Sequence, residues 1–221
     1  MNQELIHVYF MPGLAASPSI FEYIKLPEHQ FKMYYLEWII PFSGESINSY
    51  AKRMTKNIKH GNVVLVGVSF GGILVQEMSK HIKLFKLIIV SSVKTKHELP
   101  KRMKLSRKTK AYKLIPTSLI NSFENLAKYS FGDSVKKRLD LYKKYLSVRD
   151  KLYLDWSIEQ LVCWDQENPI PGIVHIHGSK DHVFPFHHIK DCITVEGGTH
   201  IMIINKYKWF NKNLPQIILT Q

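Results

Sequence analysis

Short apolar runs alternate along this chain with stretches whose apolar residues recur every three or four positions. Residues 6–10 (IHVYF) form the first run, and Pro12-Gly13 closes it, which predicts a buried strand and a tight loop. Residues 31–36 (FKMYYL) read as a second strand and 41–44 as a loop. Ile47, Tyr50, Ala51, Met54 and Ile58 then recur at helical spacing, predicting a helix over 46–59 that Gly61-Asn62 stops. Residues 63–66 (VVLV) are strongly β-prone and run directly into GVSFGG; 73–82 has helical character and 87–90 (LIIV) is another buried strand. Short all-apolar strands alternating with helices predict an α/β fold, a mostly parallel central sheet with helices on both faces.

The pattern changes over residues 94–165. Charged and aromatic residues mix there at helical spacing, as in Phe123, Leu126 and Ala127, and in Leu139, Tyr142 and Leu146. This stretch reads as a helical insertion. The strand pattern resumes at 173–177 (IVHIH), a last short strand is expected at 193–195, and 201–211 is expected to close the chain as a helix. No internal repeat or low-complexity linker interrupts the pattern, so residues 1–221 read as one domain with 94–165 inserted into it.

Composition changes this picture little. Hydrophobic residues make up 45% and charged residues 22%, which suits a globular domain. No apolar run reaches the roughly 18 residues that a membrane-spanning helix needs. The first residues lack the basic, apolar and small-residue pattern of a leader, so a cytoplasmic location is expected. Cys163 and Cys192 stand in no CxxC or metal-ligand spacing and are expected as reduced, buried thiols.

Candidate chemistry centres on Gly67-Val68-Ser69-Phe70-Gly71, a G-x-S-x-G between a predicted strand and a predicted helix. A serine on so sharp a turn has its hydroxyl exposed over the positive end of the following helix. Gly67 and Gly71 leave room for the turn, and Gly72 lets helix and strand pack closely. The amide of Phe70, at the helix start, can donate to an oxyanion. A serine hydroxyl needs a base within hydrogen-bond reach, and the chain has 11 histidines. His200 is the choice, because it follows a short strand and Gly197-Gly198-Thr199 in a C-terminal loop. His175 and His177 alternate on a strand, with only one expected on a given side; His182, His187 and His188 are expected on surface loops. Asp181, just past the strand 173–177, supplies the carboxylate that orients the base. The order is Ser69, Asp181, His200.

With these residues in place, the chain resembles the α/β-hydrolase superfamily over nearly its whole length. The resemblance rests on YFMPGLAAS (9–17), VGVSFGG (66–72), IHGSKDHVFP (176–185) and EGGTHIM (196–202), in that order. It implies that the loop after the first strand supplies a second oxyanion amide, best assigned to Leu14, although Met11-Pro12-Gly13 stands where a His-Gly pair is common. It also implies that 94–165 is a cap over the site. No metal or organic cofactor is implied.

The net charge is +13, with a pI near 9.6. Lys94, Lys96, Lys101, Arg102, Lys104, Arg107, Lys108, Lys110 and Lys113 crowd the start of the insertion against one acid, Glu98. The readings are a solvated helix face, which is preferred, recruitment of an anionic substrate, or contact with an anionic lipid surface. No phosphate-specific motif accompanies the cluster, and no nucleic-acid-binding module is present, so nucleic acid is not expected. Tyr112, Phe123, Tyr129, Phe131 and Trp156 are read as packing residues of the insertion. The expected activity is hydrolysis of a carboxylic ester of a small or medium acyl substrate through an acyl-enzyme. Alternatives are thioesterase, amidase or acyltransferase chemistry on the same residues, or a non-catalytic ligand-binding protein.

Overall fold

The computed structural model describes residues 4–115 and 145–220. Six parallel strands form one sheet in the order β2-β1-β3-β4-β5-β6. They are β1 (Ile6–Met11), β2 (Phe31–Tyr35), β3 (Val63–Val68), β4 (Lys86–Val90), β5 (Val174–Gly178) and β6 (Ile193–Val195). After β2 the chain crosses back over β1 to start β3, so β1 and β3 lie side by side and their carboxyl ends open to a common edge.

Two-residue periodicity sorts the strand side chains into two cores. Tyr9, Met11, Leu65 and Ile89 face one layer, packed with α1 (Ile47–Met54), α2 (Phe70–Ser79) and α4 (Lys151–Cys163). Val8, Phe10, Val64, Val66, Ile88 and Ile176 face the other, packed with α5 (Met202–Asn205) and α6 (Tyr207–Leu219). Burial on both sides explains why β3 reads as an unbroken apolar run.

Helix ends moved from their expected places for local reasons. Ser46 caps α1 by accepting from the Ser49 amide at 3.2 Å, but the helix stops at Met54 and tightens into a 3-10 turn over Thr55–Asn57. α2 begins at Phe70, directly after Ser69, and ends at Ser79. The expected closing helix over 201–211 is instead two helices. The backbone breaks at Lys206, and α6 then runs past Asn211 to Leu219 with Pro215 inside it. Phe210, Leu214 and Ile218, four residues apart and fully buried, hold that extension against the sheet despite the proline.

Residues 94–165, expected as a helical insertion, include α3 (Lys101–Thr109), which packs against α4. Phe123, Leu126, Ala127, Tyr129, Phe131, Leu139 and Tyr142 lie outside the described residues. The returning chain is tied to the loop after β1: Leu146 bridges Ala16, Ser17 N–H donates to Tyr145 O at 2.9 Å, and Val148 N–H to Ala15 O at 3.1 Å. Among the described residues no helix is long and apolar enough to cross a membrane.

Lys101, Arg102, Lys108, Lys110 and Lys113 are exposed, as a solvated face requires, but other members of the basic cluster are drawn in. Lys94 is buried, with Nζ 3.1 Å from Asp191 O and 3.8 Å from Glu98 Oε1. Lys96 and Arg107 both reach Asp165, each at 3.0 Å, and Lys113 lies 3.7 Å from Glu159. Arg102 donates to the carbonyls of His182 and Val183, and Lys104 to that of His97. The two cysteines are free but half-buried rather than buried.

Phe10 is fully buried, with ring centroids of Phe21 and Tyr35 at 5.1 and 5.9 Å. We expect Phe10→Ala to lower unfolding stability by about 3–5 kcal/mol, checked by urea denaturation. A change of less than about 1 kcal/mol would contradict this account of the core.

Candidate active site

The turn after β3 carries Ser69 with φ 54° and ψ −121°, a conformation rarely adopted by a residue with a β-carbon. Its peptide groups are pinned by β4, by Ser92 just beyond it and by the first turn of α2. Ser69 N–H donates to Val90 O at 2.9 Å, and Ser69 O accepts from Ser92 Oγ at 2.7 Å and from Gly72 N–H at 2.9 Å. The turn closes only with glycines beside it. A β-carbon on Gly67 would stand 2.6 Å from Val75 Cγ2, and one on Gly71 would stand 2.6 Å from Met11 O.

Asp181 lies in the loop after β5, and His200 in the loop after β6. Gly178 and Gly198 bring these loops together, with Lys180 N–H donating to Gly198 O at 2.8 Å. Both loops open at the edge that carries Ser69. The three expected residues therefore meet. His200 Nε2 lies 2.9 Å from Ser69 Oγ, and His200 Nδ1 lies 2.9 Å from Asp181 Oδ2. An ionised carboxylate only accepts, so Nδ1 carries the proton and Nε2 is free to accept from the hydroxyl. Phe184 meets the His200 ring edge-on, at 5.5 Å between centroids.

The Asp181 side chain is fully buried. Burial pushes its carboxyl up, but the neighbouring His200, then His177 and the Phe184 amide, outweigh that and hold it below the ordinary value. Its other oxygen accepts from the amides of Val183 and Phe184 at 2.8 and 3.0 Å. The carboxylate is thus satisfied on both oxygens without water.

Phe70 opens α2, so its N–H has no acceptor one turn back. Gly13 lies against Ser69: a β-carbon on it would stand 3.3 Å from Ser69 Cβ. The expected donor Phe70 directly follows the serine, and Gly13, the chain neighbour of the expected donor Leu14, lies against it. Among the described residues no group of three or more His, Cys, Asp and Glu is arranged to hold a metal.

Several residues here escaped the sequence reading. Ser92 follows β4, and Trp38 follows β2, each just past a strand that neighbours the one it serves; the strand order is the signal that would have found them. His175 and His177 share one face of β5, as residues two apart on a strand must, so the expectation of only one per side was wrong. Their rings meet at 3.2 Å, His175 Nε2 to His177 Nδ1, and His177 Nε2–H donates to Phe184 O at 2.9 Å. His177 Nε2 is also 3.7 Å from Asp181 Oδ2. His182 and His187 are exposed and His188 is half-buried.

No protein-family model and no curated protein sequence matches the chain. Solved structures do. An esterase from Exiguobacterium antarcticum superposes with a TM-score of 0.72 at 19% identity, over 100% of this chain and 94% of its own. A hydrolase from Oleispira antarctica gives 0.72 at 12% identity, covering 100% and 93%. A bromoperoxidase from Bacillus anthracis gives 0.67 at 17%, covering 100% and 94%. With the parallel sheet, its strand order and the turn after β3, these likenesses establish that the chain has the α/β-hydrolase fold.

Burial, and then the neighbouring His177, push His175 well below its ordinary value of 6.5; burial also lowers His177, against the pull of Asp181. The folded protein keeps these rings neutral at a pH where the unfolded chain protonates them. The unfolded state then binds more protons, so stability is full above 6.5 and falls with the pH below it. We expect the unfolding free energy to drop between about pH 7 and 5, by up to roughly 1.4 kcal/mol per pH unit for each histidine. His175→Gln should make the decline shallower. Denaturant titration at several pH values checks this, and a flat profile in the wild type would contradict it.

Proposed function

We propose that the chain is a serine hydrolase that cleaves a carboxylic ester of a small or medium acyl substrate through an acyl-enzyme. The observation that carries this reading is the Ser69–His200–Asp181 chain of two 2.9 Å contacts at the carboxyl edge of the sheet.

In this reading Ser69 Oγ attacks the ester carbonyl while His200 Nε2 takes its proton. Asp181 holds the ring in the tautomer that leaves Nε2 open, and stabilises the imidazolium that forms. The amides of Phe70 and Leu14 donate to the developing oxyanion, where preorganised dipoles have most effect. His200 returns the proton to the leaving alkoxide as the carbon–oxygen bond breaks. Water then attacks the acyl-enzyme with His200 again as base, releasing the acid and restoring Ser69.

Two features favour a neutral ester over an anionic thioester carrier. Lys94, Lys96, Arg102, Lys104, Arg107 and Lys113 direct donors to acceptors of the chain itself. A phosphate-specific loop is also missing from the sequence. A protein that only bound a ligand on this fold would have no need of an ordered serine, imidazole and buried carboxylate.

Fluorophosphonate labelling read by intact mass tests the proposal directly. One adduct is expected on the wild type and none on Ser69→Ala. Hydrolysis of short-chain p-nitrophenyl esters should fall by about 10⁶ in kcat for Ser69→Ala and by about 10⁴ for Asp181→Asn. A folded wild-type protein that takes no label and turns over no ester would overturn the reading.

A further inference from the structure

The peptide group that joins Gly13 to Leu14 is planar and trans, so its C=O and N–H point in opposite directions. Its carbonyl is fixed by two donors. Trp38 Nε1–H reaches Gly13 O at 2.9 Å, and the Ala16 amide reaches it at 3.0 Å. Holding the carbonyl toward the indole aims the Leu14 N–H the other way. Among the described residues that N–H meets no acceptor.

The same indole lies flat on the Phe70 ring, with centroids 5.2 Å apart and planes 10° from parallel. Phe70 carries the other amide proposed to receive the oxyanion. Trp38 is itself nearly buried and held from behind. Tyr50, on α1, grips the next residue at both ends: its hydroxyl accepts from Ile39 N–H at 3.0 Å and donates to Ile39 O at 2.8 Å. A second buried phenol, Tyr153, accepts from Ala15 N–H at 3.1 Å and fixes the loop one peptide further on.

We infer that Trp38 is a positioning residue for the oxyanion site, its indole N–H setting the Leu14 amide while its ring seats Phe70. This rests on the reading of Ser69 as nucleophile. A tryptophan that only filled space would be replaceable by another aromatic ring without kinetic effect. The hydrogen bond to Gly13 makes the N–H, not the ring, the part that matters to the Leu14 donor.

Trp38→Phe separates the two, because it keeps an aromatic ring and removes the donor. With short-chain p-nitrophenyl esters we expect kcat to fall about 10- to 100-fold, less than the 10²–10³ that follows outright loss of an oxyanion donor. KM should stay within about twofold, and the acid-limb pKa of kcat/KM should not move, because the donor acts mainly in the transition state and the imidazole is untouched. Circular dichroism and active-site titration count the folded, labelled fraction. If Trp38→Phe does not fold, Tyr50→Phe decides. It loosens the Ile39 anchor one step back and should lower kcat several-fold with the same unchanged KM.

A kcat within twofold of wild type in the folded variant, or a loss carried by KM or by a shifted pKa, would overturn the positioning role. A wild type that neither labels nor turns over ester is a different failure. It removes the serine-hydrolase reading, and the role of Trp38 falls with it.

Discussion

Backbone stands against backbone where β3 turns into α2, and the rest of the edge depends on that approach. Gly71 presses on the carbonyls of Met11 and Pro12, and Gly67 on the peptide of Gly71. At such separations the chain can pass only by bending sharply, which forces Ser69 into a positive φ. A non-glycine residue held there costs on the order of 1–3 kcal/mol. The three hydrogen bonds to its peptide groups, from Gly72 and Ser92 and to Val90, contribute about 0.5–1.5 kcal/mol each and offset that strain. One bond comes from the helix start and two from β4 and the residue pair after it, so local sequence and tertiary structure hold the turn together.

A second constraint is the burial of a charge. The Asp181 side chain is fully buried, yet it stays ionised because four groups face it: two amides, the His200 ring and the more distant His177. Removing one partner of such a site leaves charge uncompensated in a low-dielectric interior. Neutral imidazoles behind it complete the arrangement. His177 donates to a carbonyl and accepts from His175, so uncharged polar rings lie directly behind the carboxylate.

How much of this was legible in the sequence follows from the range of the forces. The strands and the Ser69 turn could be read because unbroken apolar runs and clustered glycines report local backbone demands. Asp181 and His200 could be placed because each sits a few residues past a strand, at an edge that the parallel arrangement makes common. Trp38 could not. Its partner Gly13 is 25 residues away, and only the pairing of β1 with β2 brings them together. Lys94 was read as solvated since its burial depends on the loop at Lys190 and Asp191, which sequence spacing does not link to it. The length of α6 was missed because Pro215 argues for a stop, while burial of Leu214 and Ile218 carries the helix through.

Two attachments tie the residues on either side of 116–144 to the scaffold. On the way out, Arg102 holds the carbonyls of His182 and Val183; on the way back, residues 145–148 are bonded to residues 15–17. Both attachments grip main chain: Arg102 donates to two carbonyls, and residues 15–17 exchange N–H and C=O groups with residues 145–148. A bond to a peptide group is indifferent to the side chain beside it. Substitution at His182 or Val183 therefore leaves the first attachment intact, whereas loss of Arg102 removes it outright.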